Sequence, residues 1–243
     1  MGTIENRLQA VKFRIEQAAR HAGRDPRDIV LVAISKSFPT DDIRAAHAVG
    51  QRHFGESYAQ EAIAKMDMLA DLDLVWHFVG PLQSNKTRSI AERFAWVHSV
   101  DRLKIAERLS AQRPESLPPL AVCVQVNVSG ETTKRGAPPD EVVSLAHSVA
   151  RLPRLSLRGL MAIPEPTADV ELQKARFASL ASMNARLRAD GLDLDTLSMG
   201  MSDDLEAAIE AGSTLVRVGT AIFGARPQSG TDVTDERGSP SLS

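Results

Sequence analysis

The stretch Ile29-Val30-Leu31-Val32-Ala33-Ile34-Ser35-Lys36-Ser37 gives the first indication of the fold. Six consecutive apolar residues precede Ser35, and four of them are β-branched. Such a run is typical of a buried strand covered on both faces, as in parallel sheets with helices on each side. A lysine at the end of such a strand is unusual, because lysine is seldom placed in a protein interior. The stretch therefore predicts both a strand and a residue of interest.

The pattern of a strand followed by helix-like sequence recurs along the whole chain. Eight strand-like segments are found, at 29–35, 52–54, 75–79, 96–100, 120–128, 155–163, 195–199 and 213–218. Their spacing of roughly 25 to 35 residues suits βα units. Eight parallel strands in so short a chain favour closure, so we predict a single (β/α)8 TIM barrel with an extra N-terminal helix at 3–22. A doubly wound open sheet is the alternative.

Composition and charge restrict the domain organisation and the class of protein. The 243 residues are 43% hydrophobic and 25% charged, with a net charge of −2, which is ordinary for one globular domain. We assign residues 1–225 to the barrel and 226–243, poor in apolar residues, to a disordered tail. No polybasic field or long apolar run argues for nucleic acid or a membrane. A single cysteine, Cys123, in an apolar run is expected to be an inert core thiol, and this composition fits a cytoplasmic location.

Lys36 would lie where barrel enzymes build their sites, at the carboxyl ends of the strands. Side chains alternate along a strand, so Val32, Ile34 and Lys36 share one face, and Ser35 points towards the helices. An ammonium that loses hydration there becomes neutral more readily, and a neutral lysine can attack a carbonyl to form a Schiff base. The alternative is a strand-end lysine that extends into solvent.

Small hydroxyl and glycine residues end the last two strands. The segments 197–202 and 216–221 contain Ser198, Gly219 and Thr220. Phosphate often binds at these two loops in barrels, where backbone N–H groups and hydroxyls approach an anion closely. Ordinary turn chemistry at strand ends is the alternative.

Other polar residues give weaker signals. Arg217 lies inside an apolar strand, so it needs acceptors: either a barrel carboxylate or a planar ligand to which it donates. His77, like the other strand histidines His53 and His98, is more typical of a hydrogen-bonded core residue than of a ligand. Tyr58 is a candidate for stacking near the mouth of the barrel. No HxH, HExxH or CxxC spacing suggests a metal.

Seven motifs, in order, resemble those of the pyridoxal-phosphate homeostasis proteins, also called the YggS or PROSC family. They extend from about Leu31 to Arg226 and are Val32-Ala33-Ile34-Ser35-Lys36, Phe54-Gly55-Glu56-Ser57-Tyr58, the segment 76–86 beginning Trp76-His77-Phe78, Gln125-Val126-Asn127-Val128-Ser129-Gly130-Glu131, Gly159-Leu160-Met161, Leu197-Ser198-Met199-Gly200-Met201-Ser202 and the segment 216–224.

The resemblance implies a barrel of the alanine-racemase type that holds pyridoxal 5′-phosphate (PLP). It implies that Lys36 carries the cofactor as a Schiff base and that Arg217 faces the pyridine nitrogen. It also implies that Ser198, Gly219 and Thr220 form the phosphate cup. Ser57 stands where the family usually has asparagine; serine is shorter, so this cofactor contact is expected to be lost or bridged by water.

The resemblance also implies a role in vitamin B6 homeostasis without catalysis. Alanine racemase uses a second domain and a partner's tyrosine as base, and nothing after Gly224 is expected to build that domain. We therefore expect a PLP-binding monomer that serves PLP-dependent apoenzymes. A weak amino-acid racemase, with Tyr58 or His77 as base, is one alternative, and a cofactor-free Schiff-base aldolase that uses Lys36 is another.

Overall fold

The computed structural model describes residues 2–129 and 135–225. Eight parallel strands close into a barrel in chain order, with the eighth hydrogen-bonded to the first. The strands are β1 Val30–Ile34, β2 His53–Glu56, β3 Val75–Phe78, β4 Trp96–Val100, β5 Leu120–Gln125, β6 Leu155–Met161, β7 Thr196–Ser198 and β8 Leu215–Val218. The predicted (β/α)8 barrel is confirmed, and the open-sheet alternative is wrong.

Helices surround the barrel. They are α1 Ile4–His21, α2 Thr40–Ala48, α3 Ala59–Met68, α4 Thr87–Arg93, α5 Leu103–Gln112, α6 Val142–Ala150, α7 Val170–Ala189, α8 Leu205–Glu210 and α9 Thr220–Phe223. A 3₁₀ turn, Pro26–Asp28, precedes β1 and was not expected from the sequence.

The extra N-terminal helix, α1, is also confirmed. Thr3 caps it, as its hydroxyl accepts from the backbone N–H of Asn6, which satisfies one of the helix's open donors. The apolar face of α1 packs against α8, α9 and α2. Arg14 of α1 also pairs with Glu206 of α8 at 2.7 Å. The helix thus covers the place where the last βα unit meets the first.

Several element boundaries differ from those predicted. Strand β5 ends at Gln125 and not at 128, and β6 ends at Met161 and not at 163. Strand β8 begins at Leu215 and not at 213. The predicted tail, 226–243, lies outside the described residues.

Apolar side chains of β1 pack closely against β2 inside the barrel. Gly55 on β2 is needed there, because a Cβ at this position would lie 2.4 Å from Ile34 Cδ1 and 3.0 Å from Val32 Cγ1. The same distances place Val32 and Ile34 on one face of β1, as the alternation predicts. Cys123 is fully buried, and burial raises the pKa of its thiol to about 12, consistent with an inert core thiol.

Within the described ranges, no helix is long and apolar enough to cross a membrane. The same residues contain no group of three or more histidine, cysteine, aspartate or glutamate side chains arranged to hold a metal ion.

Candidate functional site

A cavity of about 210 Å³ opens at the carboxyl ends of β1, β7 and β8. It is lined by Ile34, Lys36, Phe38, Met201, Ser202, Asp203, Arg217, Gly219 and Thr220. Four of the six residues expected to bind a cofactor therefore meet in one place: Lys36, Arg217, Gly219 and Thr220. The other two, Ser57 and Ser198, do not line this cavity.

Lys36 lies in a tight turn, two residues beyond the end of β1. The residue after it, Ser37, has a φ of 68°, a backbone conformation that non-glycine residues seldom adopt. The turn is closed by a bond from the Phe38 N–H to the Ser35 carbonyl, 3.1 Å long. The lysine is half-buried. Its position is thus set by a turn that is held at both ends.

A buried charged network holds this turn from the outer side. Lys65 of α3 donates to the Ser35 carbonyl at 2.8 Å and to Glu56 Oε1 at 2.8 Å. The Ser35 hydroxyl donates to the same Glu56 oxygen at 2.7 Å. Lys65 also donates to Glu61 at 2.6 Å, and Glu61 accepts from the Ser37 N–H at 2.7 Å. The expectation that Ser35 points towards the helices is confirmed.

Glu56 is the innermost member of this network. Its side chain is fully buried, and its Oε2 has no hydrogen-bond partner among the described residues. Burial raises the pKa of the Glu56 carboxyl, and the nearby Lys65 opposes this shift. Lys65 therefore compensates a carboxylate that would otherwise be costly to enclose.

Arg217 extends into the barrel from β8. It is 4% exposed and donates to the Ser198 hydroxyl at 2.6 Å and to the Ala162 carbonyl at 2.9 Å. Burial lowers its pKa to about 10, and the negative charge of Asp204 works against this shift. Its hydrogen-bond acceptors are neutral oxygens, so the guanidinium keeps its full charge beside the cavity at neutral pH.

One part of the cavity lining consists of small polar groups. The Ser202 and Thr220 hydroxyls and the backbone at Gly219 lie there. A Cβ at position 219 would come within 3.3 Å of the Ile34 carbonyl oxygen, so glycine permits the close approach of β8 to β1. Helix α9 begins at Thr220, and the first N–H groups of a helix have no partner within it. This side is suited to an anion.

Ser198 and Ser57 lie apart from the cavity. Ser198 is fully buried, and its hydroxyl contacts Arg217 and the Nδ1 atom of His98. Ser57 lies after β2 against the next loop, where a Cβ at Gly80 would approach the Ser57 carbonyl oxygen to 2.1 Å. The cofactor roles assigned to both serines remain predictions.

Sequence reasoning did not select Ser202, Asp203, Met201 or Phe38, which line the cavity. Ser202 belongs to the same motif as Ser198 and is also a serine, so the motif indicated this loop but not which of its hydroxyls lines the cavity. The direction of a side chain in a loop cannot be read from its residue type.

The residues considered as a second base are also elsewhere. Tyr58 is 56% exposed and does not line the cavity. His77 is fully buried, and both of its ring nitrogens have histidine partners. His77 is therefore the hydrogen-bonded core histidine that was expected.

Comparison with known proteins agrees with this arrangement. The model of the alanine racemase N-terminal domain family matches residues 7–227. The chain is 61% identical to the pyridoxal phosphate homeostasis protein of Pseudomonas aeruginosa, over 93% of this chain and 97% of that protein. It is 50% identical to the protein of the same name from Escherichia coli K12, over 94% and 99%. The structure of PipY from Synechococcus elongatus, solved with PLP bound, has a TM-score of 0.80 at 38% identity, covering 91% of this chain and 100% of that one.

Proposed function

Because the chain belongs to the pyridoxal phosphate homeostasis protein family, we propose that it binds PLP covalently through Lys36 at the mouth of the barrel. One observation carries this proposal: an amine, a charged guanidinium and two hydroxyls line a single cavity of about 210 Å³. The amine matches the aldehyde of PLP, the guanidinium matches the pyridine nitrogen, and the hydroxyls match the phosphate.

The donor set fits the cofactor. The PLP aldehyde supplies a carbon to which an amine can bond, and Lys36 is the amine in the cavity. Ser202, Thr220 and the backbone at Gly219 would hold the phosphate, since hydroxyl and N–H donors bind phosphate oxygens strongly. Ile34 and Met201 would offer apolar surface to the ring. The positive charges of Lys36 and Arg217 attract the negatively charged ligand.

Arg217 determines how the pyridine ring is used. Arginine only donates hydrogen bonds and does not readily give up its proton. Beside the ring nitrogen it would leave that nitrogen as an acceptor without a proton. An unprotonated ring is a poorer electron sink than the pyridinium form, which enzymes commonly pair with an aspartate. The position of Arg217 therefore supports a role in binding the cofactor and not in stabilising a carbanion.

The surroundings of Lys36 also favour a non-catalytic role. Racemisation needs an acid or base on each side of the reacting carbon. Among the described residues lining the cavity, the titratable side chains are Lys36, Asp203 and Arg217, and Asp203 is exposed to solvent. We expect an amino acid incubated with the loaded protein in heavy water to keep its α-proton over many hours, as measured by NMR. Rapid deuteration would support the racemase alternative.

The phosphate contacts can be tested by substitution. Changing Thr220 to valine keeps the shape of the side chain and removes its hydroxyl. One lost hydrogen bond to a charged group should weaken PLP binding by about 10- to 100-fold, measured by titration with PLP followed by absorbance. The matched control is Thr214→Val at the other end of β8, which should leave the affinity within about twofold. Equal affinities for Thr220→Val and the wild type would contradict this phosphate site.

The protein is further proposed to act as a cytoplasmic monomer that passes PLP to PLP-dependent apoenzymes. The half-exposed Lys36 supports this, because an incoming amine can reach the attached cofactor from solvent. Light scattering of the loaded protein should give the mass of one chain, 26.3 kDa. Mixing it with a PLP-free apoenzyme should restore that enzyme's activity faster than release of free PLP into buffer. A dimer mass would contradict the monomer. Restoration of enzyme activity no faster than the release of free PLP would contradict the transfer to apoenzymes.

A further inference from the structure

Three histidines form a hydrogen-bonded chain through the barrel to Arg217. His53 Nδ1 lies 2.9 Å from His77 Nε2, and His77 Nδ1 lies 2.9 Å from His98 Nε2. His98 Nδ1 lies 2.8 Å from the hydroxyl of Ser198, which accepts from Arg217 at 2.6 Å. The chain thus joins the first residue of β2, at the floor of the barrel, to the guanidinium at its mouth.

The two inner histidines are enclosed by the barrel and neutral. Both His77 and His98 are fully buried, and the His77 ring lies nearly parallel to Trp96 at 5.4 Å. Burial, followed by the charges of its histidine neighbours, holds the pKa of His77 well below the usual value. Burial and then Arg217 lower the pKa of His98 to about 3. Each ring therefore has one donor and one acceptor at neutral pH.

The charge of Arg217 sets the direction of the chain. Because arginine can only donate, the Ser198 oxygen accepts and its single proton remains for His98 Nδ1. His98 then carries its proton on Nε2 and donates to His77 Nδ1. By the same logic, His77 carries its proton on Nε2 and donates to His53 Nδ1. One fixed cation thus selects the tautomer of each histidine in turn.

The outer end of the chain opens towards solvent. His53 is half-buried and lines a cavity of about 180 Å³ at the floor of the barrel. The charged groups beside it are Asp28 and the pair formed by Arg158 and Asp195. Burial lowers the pKa of His53, so this ring is also mostly neutral at pH 7. Its Nε2–H can donate to water in this cavity, which completes the chain.

We propose that His53, His77, His98 and Ser198 are positioning residues that fix the guanidinium of Arg217 in the orientation it presents to the cofactor. If His98 Nδ1 did not accept its proton, the Ser198 hydroxyl could rotate and turn that proton towards Arg217. The bond that anchors the guanidinium inside the barrel would then be lost. This inference deepens the proposed function and rests on it for the identity of the ligand.

The proton arrangement can be measured on the wild-type protein without PLP. Histidine-labelled protein at pH 7 should give long-range ¹H–¹⁵N spectra in which His77 and His98 are both Nε2–H tautomers. His21, exposed at the end of α1, serves as the solvent-exposed comparison in the same spectra. An Nδ1–H tautomer at His98 would overturn the proposal, because Ser198 could not then donate to that ring.

Variants at His98 test the effect on the ligand. His98→Leu removes the acceptor and should weaken PLP binding about tenfold and shift the absorption maximum of the complex. His98→Asn places an amide oxygen near the position of Nδ1 and should restore the affinity to within about threefold. His21→Leu should change neither quantity. A folded His98→Leu protein with wild-type affinity and spectrum would overturn the proposal.

Failure of this inference is separable from failure of the proposed function. If the wild-type protein binds no PLP, the proposed function fails and the tautomer spectra still decide the direction of the chain. If the wild type binds PLP but His98 has the wrong tautomer, the inference fails and the PLP site stands.

Discussion

A Lys36→Met protein is expected to lose the single, saturating covalent adduct with PLP. Methionine keeps the length and apolar stem of lysine and removes the amine that would attack the aldehyde. Binding through the phosphate and ring contacts should persist at lower affinity, because Arg217, Ser202 and Thr220 remain around the cavity. After borohydride treatment with PLP, the intact mass spectrum of the variant should lack the saturating adduct of one PLP per chain.

The matched control is Lys104→Met, a lysine exposed on the outer surface of α5. It should take up one PLP per chain, as the wild type does. Low-level labelling of surface lysines by free aldehyde should be equal in both variants and should grow with PLP concentration without saturation. A saturating single adduct on the Lys36→Met protein would show that another amine carries the cofactor.

Replacing Lys65 with methionine should cause the largest loss of stability. Glu56 would remain fully buried without its cation, and leaving one member of a buried pair costs about 3–5 kcal/mol. Urea denaturation followed by circular dichroism should show this loss as a lower midpoint at a similar slope. The turn around Lys36 would also lose the bond from Lys65 to the Ser35 carbonyl, so PLP attachment should be slower.

Two further variants separate burial from charge. Arg44→Met breaks an exposed ion pair with Asp71 and should cost no more than about 1 kcal/mol. Adding Glu56→Gln to Lys65→Met removes the uncompensated charge and should recover part of the lost stability. If Lys65→Met costs no more than Arg44→Met, then Lys65 does not support Glu56 as described.

The fold could be predicted because its signals are local and repeated. Each strand is an apolar run bounded by turn residues. Eight such runs in 243 residues leave few ways to be buried other than a closed barrel. The convergence of Lys36 with Gly219 and Thr220 followed from the same reasoning, since parallel strands end at one edge. The place of Arg217 beside them was implied by the family resemblance. Element boundaries were less accurate, as at the end of β6, because the last residues of an element differ little from the loop that follows.

The polar networks could not be predicted. In the sequence, Lys65 is typical of a charged residue on the surface of a helix. Only the packing of α3 against β2 shows that Lys65 pairs with the buried Glu56. The histidines of β2, β3 and β4 were each seen as core residues. Their alignment depends on the barrel's strand stagger, which no single segment encodes. The orientation of Ser198 towards Arg217, and not towards the cavity, depends on the same stagger.

The most direct test of the central claim is to locate the cofactor on the wild-type protein. The protein would be loaded with PLP, its absorption spectrum recorded, the adduct fixed with borohydride, and the modified peptide sequenced by mass spectrometry. We expect an imine absorption band that saturates at one PLP per chain and a single modified residue, Lys36. No band in the presence of excess PLP, or a modified lysine elsewhere, would contradict the assignment of this cavity to PLP.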